Sequence, residues 1–216
     1  KTSEPQWYLN WSFIPLCWGF ILFLDGLVYY FNQGESLIST KPTEVISMGL
    51  VSISGWLIFE YLNLFIEHNW FYPKASLHTH DGFIIYAIFG SSAFIPMAYE
   101  WYHLIRKLKV FEFRFKYGPK IIMPKWLKIV LLIISVLGMF ITPYFPNELF
   151  FLLWVAPVVV LSLILSLMDI WTPFTPIKNT GDWTYLLVFA LTFLIQGFLL
   201  EWWNYLSATK MGDGTI

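Results

Sequence analysis

The sequence predicts an all-α polytopic membrane protein, a helical bundle with about six transmembrane helices. Hydrophobic residues make up 57% of the 216 residues and charged residues only 12%, whereas soluble domains carry about 25% charged residues. The mean hydropathy of +0.62 agrees with this class. The apolar residues also fall into stretches of about 20, the length a helix needs to cross a bilayer core. We therefore treat residues 1–216 as a single integral membrane domain.

Helix-start signals precede several of these stretches. Pro42 stands before the second stretch, Asp81 before the third and Asp182 before the sixth, and such residues are typical of helix N-termini. The six predicted spans are residues 11–31, 44–66, 82–106, 126–145, 149–170 and 183–206.

Prolines mark the turns and irregularities of the predicted bundle. Pro143 and Pro146 predict a tight turn between the fourth and fifth spans. Pro96 and Pro157 fall inside the third and fifth spans, where we expect kinks because proline cannot donate a helical hydrogen bond.

The basic residues predict the orientation. With six spans, ten of the 13 lysines and arginines fall on one side. By the positive-inside rule, the loop at residues 106–125 is cytoplasmic and both termini lie outside, in a bacterial inner membrane. The ten residues are Lys41, Arg106, Lys107, Lys109, Arg114, Lys116, Lys120, Lys125, Lys128 and Lys178.

Within this loop, residues 110–117 alternate between aromatic or apolar side chains and charged ones. This period predicts an extended strand. We expect it to lie on the headgroups with its cations toward anionic lipid; the alternative is a docking edge for a partner subunit.

Two matching acid–amide pairs occur inside apolar stretches. Glu60 and Asn63 are three residues apart, as are Glu201 and Asn204, so each pair shares a helix face. A carboxyl in hydrocarbon costs roughly 2.5–3.5 kcal/mol on insertion scales and is therefore rarely without a role. We predict that one site uses both copies, with Glu60 and Glu201 as the catalytic candidates and the asparagines orienting them. The alternative is that these side chains only form hydrogen bonds that hold neighbouring helices together.

Aromatic residues surround both pairs. Aromatic walls beside an acid suit a long apolar ligand such as a carotenoid or another isoprenoid, and they stabilise a carbocation. Helix packing and interfacial belts are the alternative. The predicted ligand-binding aromatics are Trp56, Phe59, Tyr61, Trp202 and Trp203.

The likeness extends to a duplicated helix pair, formed by spans one and two and by spans five and six. Asp25 precedes Glu60 by 35 residues, and Asp169 precedes Glu201 by 32 residues. Sites form at the interface of such repeats, so Asp25 joins the predicted ligand-binding residues. Chance similarity of two helices rich in tryptophan and phenylalanine is the alternative.

Glu100 and His103 form half of a di-iron carboxylate motif. A full site needs a second motif, which the sequence lacks, so we interpret the two residues as interfacial and stabilised by Arg106 and Lys107.

A second histidine group, His68, His78 and His80 beside Asp81, has ligands that suit zinc or copper. Its loop spacing instead favours solvated side chains, and we predict no metal site.

Four runs carry a resemblance to a known class. Leu22–Leu27, Phe59–Asn63 with Asn69–Tyr72, and Gly197–Asn204 resemble a family of uncharacterised multi-pass bacterial membrane proteins. That family usually has a Trp-x-Tyr after the last motif, and residues 210–216 depart from it. The resemblance implies topology and no activity. A looser similarity to the small membrane lycopene-cyclase type rests on intramembrane acids and aromatics.

Three functions remain open from the sequence. The first is an enzyme or binding protein for an isoprenoid, carotenoid or lipid. The second is a non-catalytic subunit of a photosynthetic or respiratory membrane complex. The third is a proton or ion carrier that uses Asp25, Glu60, Glu100 and Glu201. Membrane lipid and other membrane subunits are the expected partners, and no nucleic-acid-binding motif is present.

Overall fold

A computed structural model describes residues 11–64 and 79–205, and 79% of these residues are helical. No strand occurs within these two ranges. The predicted all-α class is therefore confirmed for the described chain. The helices are α1 (Phe13–Phe31), α2 (Leu37–Thr40), α3 (Pro42–Asn63), α4 (His80–Ser91), α5 (Phe94–Arg106), α6 (Lys109–Phe113), α7 (Lys125–Ile141), α8 (Pro146–Leu149), α9 (Leu152–Leu167), α10 (Thr175–Thr180) and α11 (Thr184–Tyr205), with a 3₁₀ turn at Thr142–Tyr144.

Five helical stretches are long and apolar enough to cross a membrane. Their central windows are only 6% to 39% buried within the protein, so most of their apolar side chains face outward. Such a surface is consistent with an integral membrane protein, because exposing so much apolar surface to water is unfavourable. The stretches are Phe13–Phe31, Pro42–Leu62, Asp81–Arg106, Lys125–Tyr144 and Thr184–Trp203.

The fifth predicted span is shorter than expected. The sequence predicts residues 149–170, whereas α9 covers Leu152–Leu167, which is 16 residues. At 1.5 Å per residue this helix is about 24 Å long, which is less than the bilayer core of about 30 Å. Pro157 remains inside the helix.

The described residues form two compact units. Unit 1 contains residues 11–56, 79–107 and 190–205, and unit 2 contains residues 57–64 and 108–189.

The core of unit 1 lies where α1 packs along α5. Cys17, Ile21 and Leu24 point from α1 into this core and meet Ala93 and Met97. The α1 positions are spaced by four and three residues, which places them on one helix face. Cys17 is therefore a free thiol that is fully buried in an apolar helix.

The third predicted span is broken in two. Helix α4 ends at Ser91 and α5 begins at Phe94, two residues before Pro96, so the predicted distortion is present as a break. The buried Ser52 hydroxyl, from α3, donates to the Ser91 carbonyl and accepts the Ile95 N–H at 3.2 Å. One side chain thus supplies partners for two backbone groups that the break frees.

In unit 2, α7 and α9 pack against each other through the turn at Thr142–Leu149. The predicted proline turn between these two helices is confirmed. A Cβ atom on Gly138 would lie only 2.9 Å from Leu152 Cδ1, so the small residue permits the close approach beside the turn.

The strand predicted for residues 110–117 is wrong. Lys109–Phe113 form helix α6, and turns follow to residue 117. A strand needs a partner to accept its backbone hydrogen bonds. Here the Arg114 N–H instead donates to the Val110 carbonyl at 3.3 Å, as in a helical turn.

After α6, the chain is fastened to the start of α11 by a set of hydrogen bonds that we call the clamp. The Gly118 N–H donates to the Gly181 carbonyl at 2.8 Å, the Trp183 N–H to Phe115 at 2.9 Å, and the Trp183 indole to Pro119 at 3.0 Å. The segments before α7 and after α9 therefore meet. Although α9 is short, it brings the chain back to the end of unit 2 at which α7 begins.

Candidate functional site

The four residues of the predicted acid–amide site are only partly described. Glu60 is half-buried in the last turn of α3, and Glu201 is exposed near the end of α11. The structure does not describe the side chains of Asn63 and Asn204. Glu60 belongs to unit 2 and Glu201 to unit 1, and the shared site stays a prediction.

Two of the predicted ligand-binding aromatics pack against other rings. The Trp56 ring lies 5.1 Å from that of Phe94 within unit 1. The Phe59 ring stacks on Trp154 within unit 2, with centroids 5.3 Å apart and planes 24° apart. Both contacts are those expected if these aromatic residues pack helices together, which was the alternative to ligand binding.

The other predicted aromatics differ in exposure. Trp203 is half-buried beside the core of unit 1, edge-on to Phe20 at 5.4 Å. Tyr61 and Trp202 are exposed, so their side chains are available to lipid or to an apolar ligand.

The histidine loop falls mostly outside the described residues. His68 and His78 lie there, His80 begins α4 with its side chain outside the described ones, and Asp81 is exposed. Across residues 11–64 and 79–205, no group of three or more His, Cys, Asp or Glu side chains is arranged to hold a metal.

Asp25 is the predicted site residue with the most defined environment. It is 8% exposed on α1. Its Oδ2 accepts from the Ser36 hydroxyl at 2.8 Å, and its Oδ1 accepts from the Ile38 N–H at 2.9 Å. Ser36 is the N-cap of α2 and exchanges capping hydrogen bonds with Ser39. The Asp25 carboxylate thus fixes the turn that follows α1.

Glu100 is the most enclosed charged residue in the described chain. It is 0% exposed on α5, and no N–H or hydroxyl group of the described residues donates to either of its carboxyl oxygens. A buried polar group without a partner costs about 1–3 kcal/mol, and more when it is charged. Such a residue calls for an explanation that packing alone does not give.

Asp25 and Glu100 face each other across the contact between α1 and α5. Asp25 is four residues after Ile21 in the core of unit 1, and Glu100 is three residues after Met97. Each acid therefore lies on the core face of its helix. The carboxyls are close enough to interact electrostatically. One acid is supplied with donors and the other is not.

The interpretation of Glu100 as an interfacial residue held by Arg106 and Lys107 is wrong. The side chain is enclosed, and in the described chain no salt bridge joins it to a cation. The sequence did contain a signal, since positions 93, 97 and 100 follow the four-and-three spacing of a core face. Glu100 occupies a position that this spacing assigns to a buried residue.

Further titratable side chains lie near Glu100, toward the N-terminal end of α3. The Tyr99 and His103 rings are in contact, with centroids 4.4 Å apart and planes tilted by 40°, and both are half-buried. Lys41 and Glu44 form an exposed salt bridge at 3.0 Å. The hydrogen bond to Glu44 and its charge raise the pKa of Lys41 above its ordinary value. Tyr99 interacts electrostatically with this pair and with Glu100.

Three further buried polar atoms of unit 1 have no partner in the described chain: Trp101 Nε1, Thr192 Oγ1 and Gln196 Oε1. Gln196 uses its amide N–H to donate to the Phe94 carbonyl at 3.0 Å. Of these residues and Glu100, only Glu100 has a side chain that can carry a charge.

Asp169, the predicted counterpart of Asp25, has a different environment. It is exposed just after α9 and has a positive φ of 56°, a conformation that aspartate tolerates at helix ends. Asp25 is instead helical and buried. The duplicated helix pair stays a prediction.

Comparison with known proteins gives no match. No family model, no curated protein and no solved structure matches this chain. The resemblance drawn from the sequence motifs therefore rests on those motifs alone.

Proposed function

We propose that this chain is an integral membrane protein that binds a proton at the Asp25–Glu100 pair and carries it along a proton pathway through the bundle. The observation that supports this is the Glu100 carboxyl, which is fully buried, accepts no hydrogen bond from the described chain and adjoins the Asp25 carboxyl. Of the three functions that the sequence leaves open, the carrier makes the most direct use of such a pair.

The hydrogen-bond donors around the two carboxyls indicate which of them carries the proton. The Asp25 carboxyl accepts hydrogen bonds from the Ser36 hydroxyl and the Ile38 N–H. Among the described residues, Glu100 has no such donor and forms no salt bridge. Two adjacent carboxylates in a low-dielectric site cannot both stay ionised. Glu100 therefore holds the proton and donates toward Asp25.

The position of the Glu100 carboxyl supports a role in transport. A buried carboxyl in a membrane-length helix is a functional candidate by default, because apolar replacements pack without its cost. Tyr99 and His103 adjoin Glu100 on α5, and both side chains can accept and donate a proton. They lead from the carboxyl pair toward the exposed Lys41–Glu44 salt bridge.

Proton flux into proteoliposomes tests the proposal. Purified protein is reconstituted with an internal pH dye, and a potassium diffusion potential drives proton entry. We expect flux in the wild type and its loss in Glu100→Gln and Asp25→Asn, since neither amide can be reversibly protonated near neutral pH. Glu148→Gln removes an exposed carboxyl of unit 2 and is the matched control, with wild-type flux expected.

Infrared spectroscopy supplies a readout that does not depend on transport. A carboxyl that stays protonated near neutral pH gives a carbonyl stretching band. This band should disappear in Glu100→Gln and persist in Glu148→Gln. The proposal is wrong if the wild type carries no protons or if Glu100→Gln keeps both the flux and the band.

A second candidate, binding of an isoprenoid or other lipid-soluble ligand, is favoured by the rings next to Glu100. Phe20 contacts Trp101 with centroids 5.9 Å apart and Trp203 with centroids 5.4 Å apart. The Trp101 indole N–H is buried without a partner in the described residues. An acid beside an aromatic wall suits a carotenoid or polyprenyl chain.

Native mass spectrometry of protein extracted from its own membrane tests this candidate. We expect one apolar ligand per chain, and less of it in Trp203→Ala than in Trp154→Ala, which removes a ring of unit 2 from its stack with Phe59. Equal ligand content in the two variants, or no ligand in the wild type, would count against it.

A further inference from the structure

We propose that the clamp region of unit 2 binds the headgroup of an anionic phospholipid. The site is a cavity of about 270 Å³ bordered by Arg114, Phe115, Tyr117, Gly118, Pro119, Trp183 and Leu187. Its residues are distinct from the Asp25–Glu100 pair, and the ligand proposed for it is different.

The charge of the segment selects an anion. Residues 106–128 contain eight lysines and arginines and one acid, Glu112. Arg114 borders the cavity and is exposed, and it has no ion pair with the described part of the chain. Lys120 is also exposed, and its stem lies against Gly181 in the clamp. A guanidinium binds phosphate oxygens in a bidentate manner, which a lysine cannot reproduce.

The lining of the cavity suits a phospholipid rather than a free phosphate, because it combines a cation with apolar side chains. Arg114 supplies a cation, the Trp183 ring lies at the start of α11, and Leu187 is one turn further along the same helix. Tryptophan is typical of the interface between headgroups and acyl chains. Arg114 therefore suits the phosphate of such a lipid, Trp183 its glycerol region and Leu187 its acyl chain.

The clamp makes the site rigid. Backbone and indole hydrogen bonds of 2.8–3.0 Å hold residues 115–119 against residues 181–183. A Cβ on Gly118 would overlap the Trp183 ring, and a Cβ on Gly181 would overlap the Gly118 carbonyl. The two glycines thus permit a backbone contact that holds Trp183 against the segment that follows Arg114. Such a preorganised site loses less entropy on binding than a flexible basic loop.

Lipid retention in nanodiscs tests the inference. The protein is placed in equal mixtures of phosphatidylglycerol and phosphatidylcholine, released gently, and read by native mass spectrometry. We expect wild-type protein to retain phosphatidylglycerol preferentially. Arg114→Gln should reduce the retained anionic lipid by about fivefold, the contribution of one cation near an anionic surface. Arg114→Lys should restore only part of it.

Lys125→Gln is the matched control, because it removes one charge from the same segment but does not border the cavity. Its effect should be smaller than that of Arg114→Gln. Equal effects of the two variants would mean a diffuse charge attraction and would overturn the inference. Full displacement of the lipid by inorganic phosphate, or equal retention of the two lipids, would overturn it as well.

Discussion

Replacing Asp25 by alanine should destabilise unit 1 strongly. The substitution removes the acceptor of the Ser36 hydroxyl at 2.8 Å and of the Ile38 N–H at 2.9 Å. A hydrogen bond to a charged group contributes about 1.5–3 kcal/mol, so two such bonds amount to about 3–6 kcal/mol of unfolding free energy. The turn between α1 and α2 would then lose its attachment to the core.

Cys17 provides the assay. It is the single cysteine of the chain and is 0% exposed in the core of unit 1. A thiol reagent can therefore reach it only when the unit opens, and the labelling rate follows the free energy of that opening. A loss of about 3 kcal/mol corresponds to labelling about a hundredfold faster than in the wild type.

Asp25→Asn separates hydrogen bonding from charge. The amide oxygen can still accept the Ile38 N–H, and the amide N–H can donate to the Ser36 oxygen. We expect labelling within about tenfold of the wild-type rate, together with lost proton flux. If Asp25→Ala labels within about fivefold of the wild type, the carboxylate does not hold the turn and the reasoning is refuted.

Two other substitutions test the local structure. Ser52→Ala should cost about 1–3 kcal/mol, because two backbone groups at the break between α4 and α5 lose their side-chain partner; Cys17 labelling measures this, and Ser54→Ala, an exposed neighbour, should change nothing. Gly181→Ala should cost at least about 1–2 kcal/mol, since its φ is 79° and its Cβ would overlap the Gly118 carbonyl. Faster trypsin cleavage of residues 106–125 would report the loosened clamp, whereas Gly197→Ala, where a Cβ meets nothing within 4 Å, should leave cleavage unchanged.

The sequence predicted the class of the fold because long apolar stretches need no tertiary information. It failed where short-range pattern and tertiary contact disagree. The alternation at residues 110–117 is that of a strand, yet a strand with no neighbouring strand leaves its backbone groups unpaired. The structure satisfies them through α6 and the clamp to residues 181–183.

The candidate site shows the same division. Asp25 could be selected from the sequence because an acid inside an apolar stretch is conspicuous. Its partners, Ser36 and Ile38, follow 11 and 13 residues later, beyond what helical spacing alone relates. Glu100 was assigned to the membrane surface on the basis of the nearby Arg106, although its spacing from Met97 places it on the core face of α5. Which neighbours enclose a carboxyl depends on helix packing, and the order of residues does not reveal it.

The clamp also constrains the order in which unit 2 can be completed. Pro119 and Trp183 are 64 residues apart in the chain. Joining ends at this separation costs on the order of 4 kcal/mol of chain entropy, and the three hydrogen bonds of the clamp contribute only about 0.5–1.5 kcal/mol each. Packing of α7 against α9, whose connection is short, brings the two segments together and lowers this cost. We therefore expect the clamp to close after this helix pair has formed, so that a chain whose α9 had not returned would leave the basic segment without these hydrogen bonds.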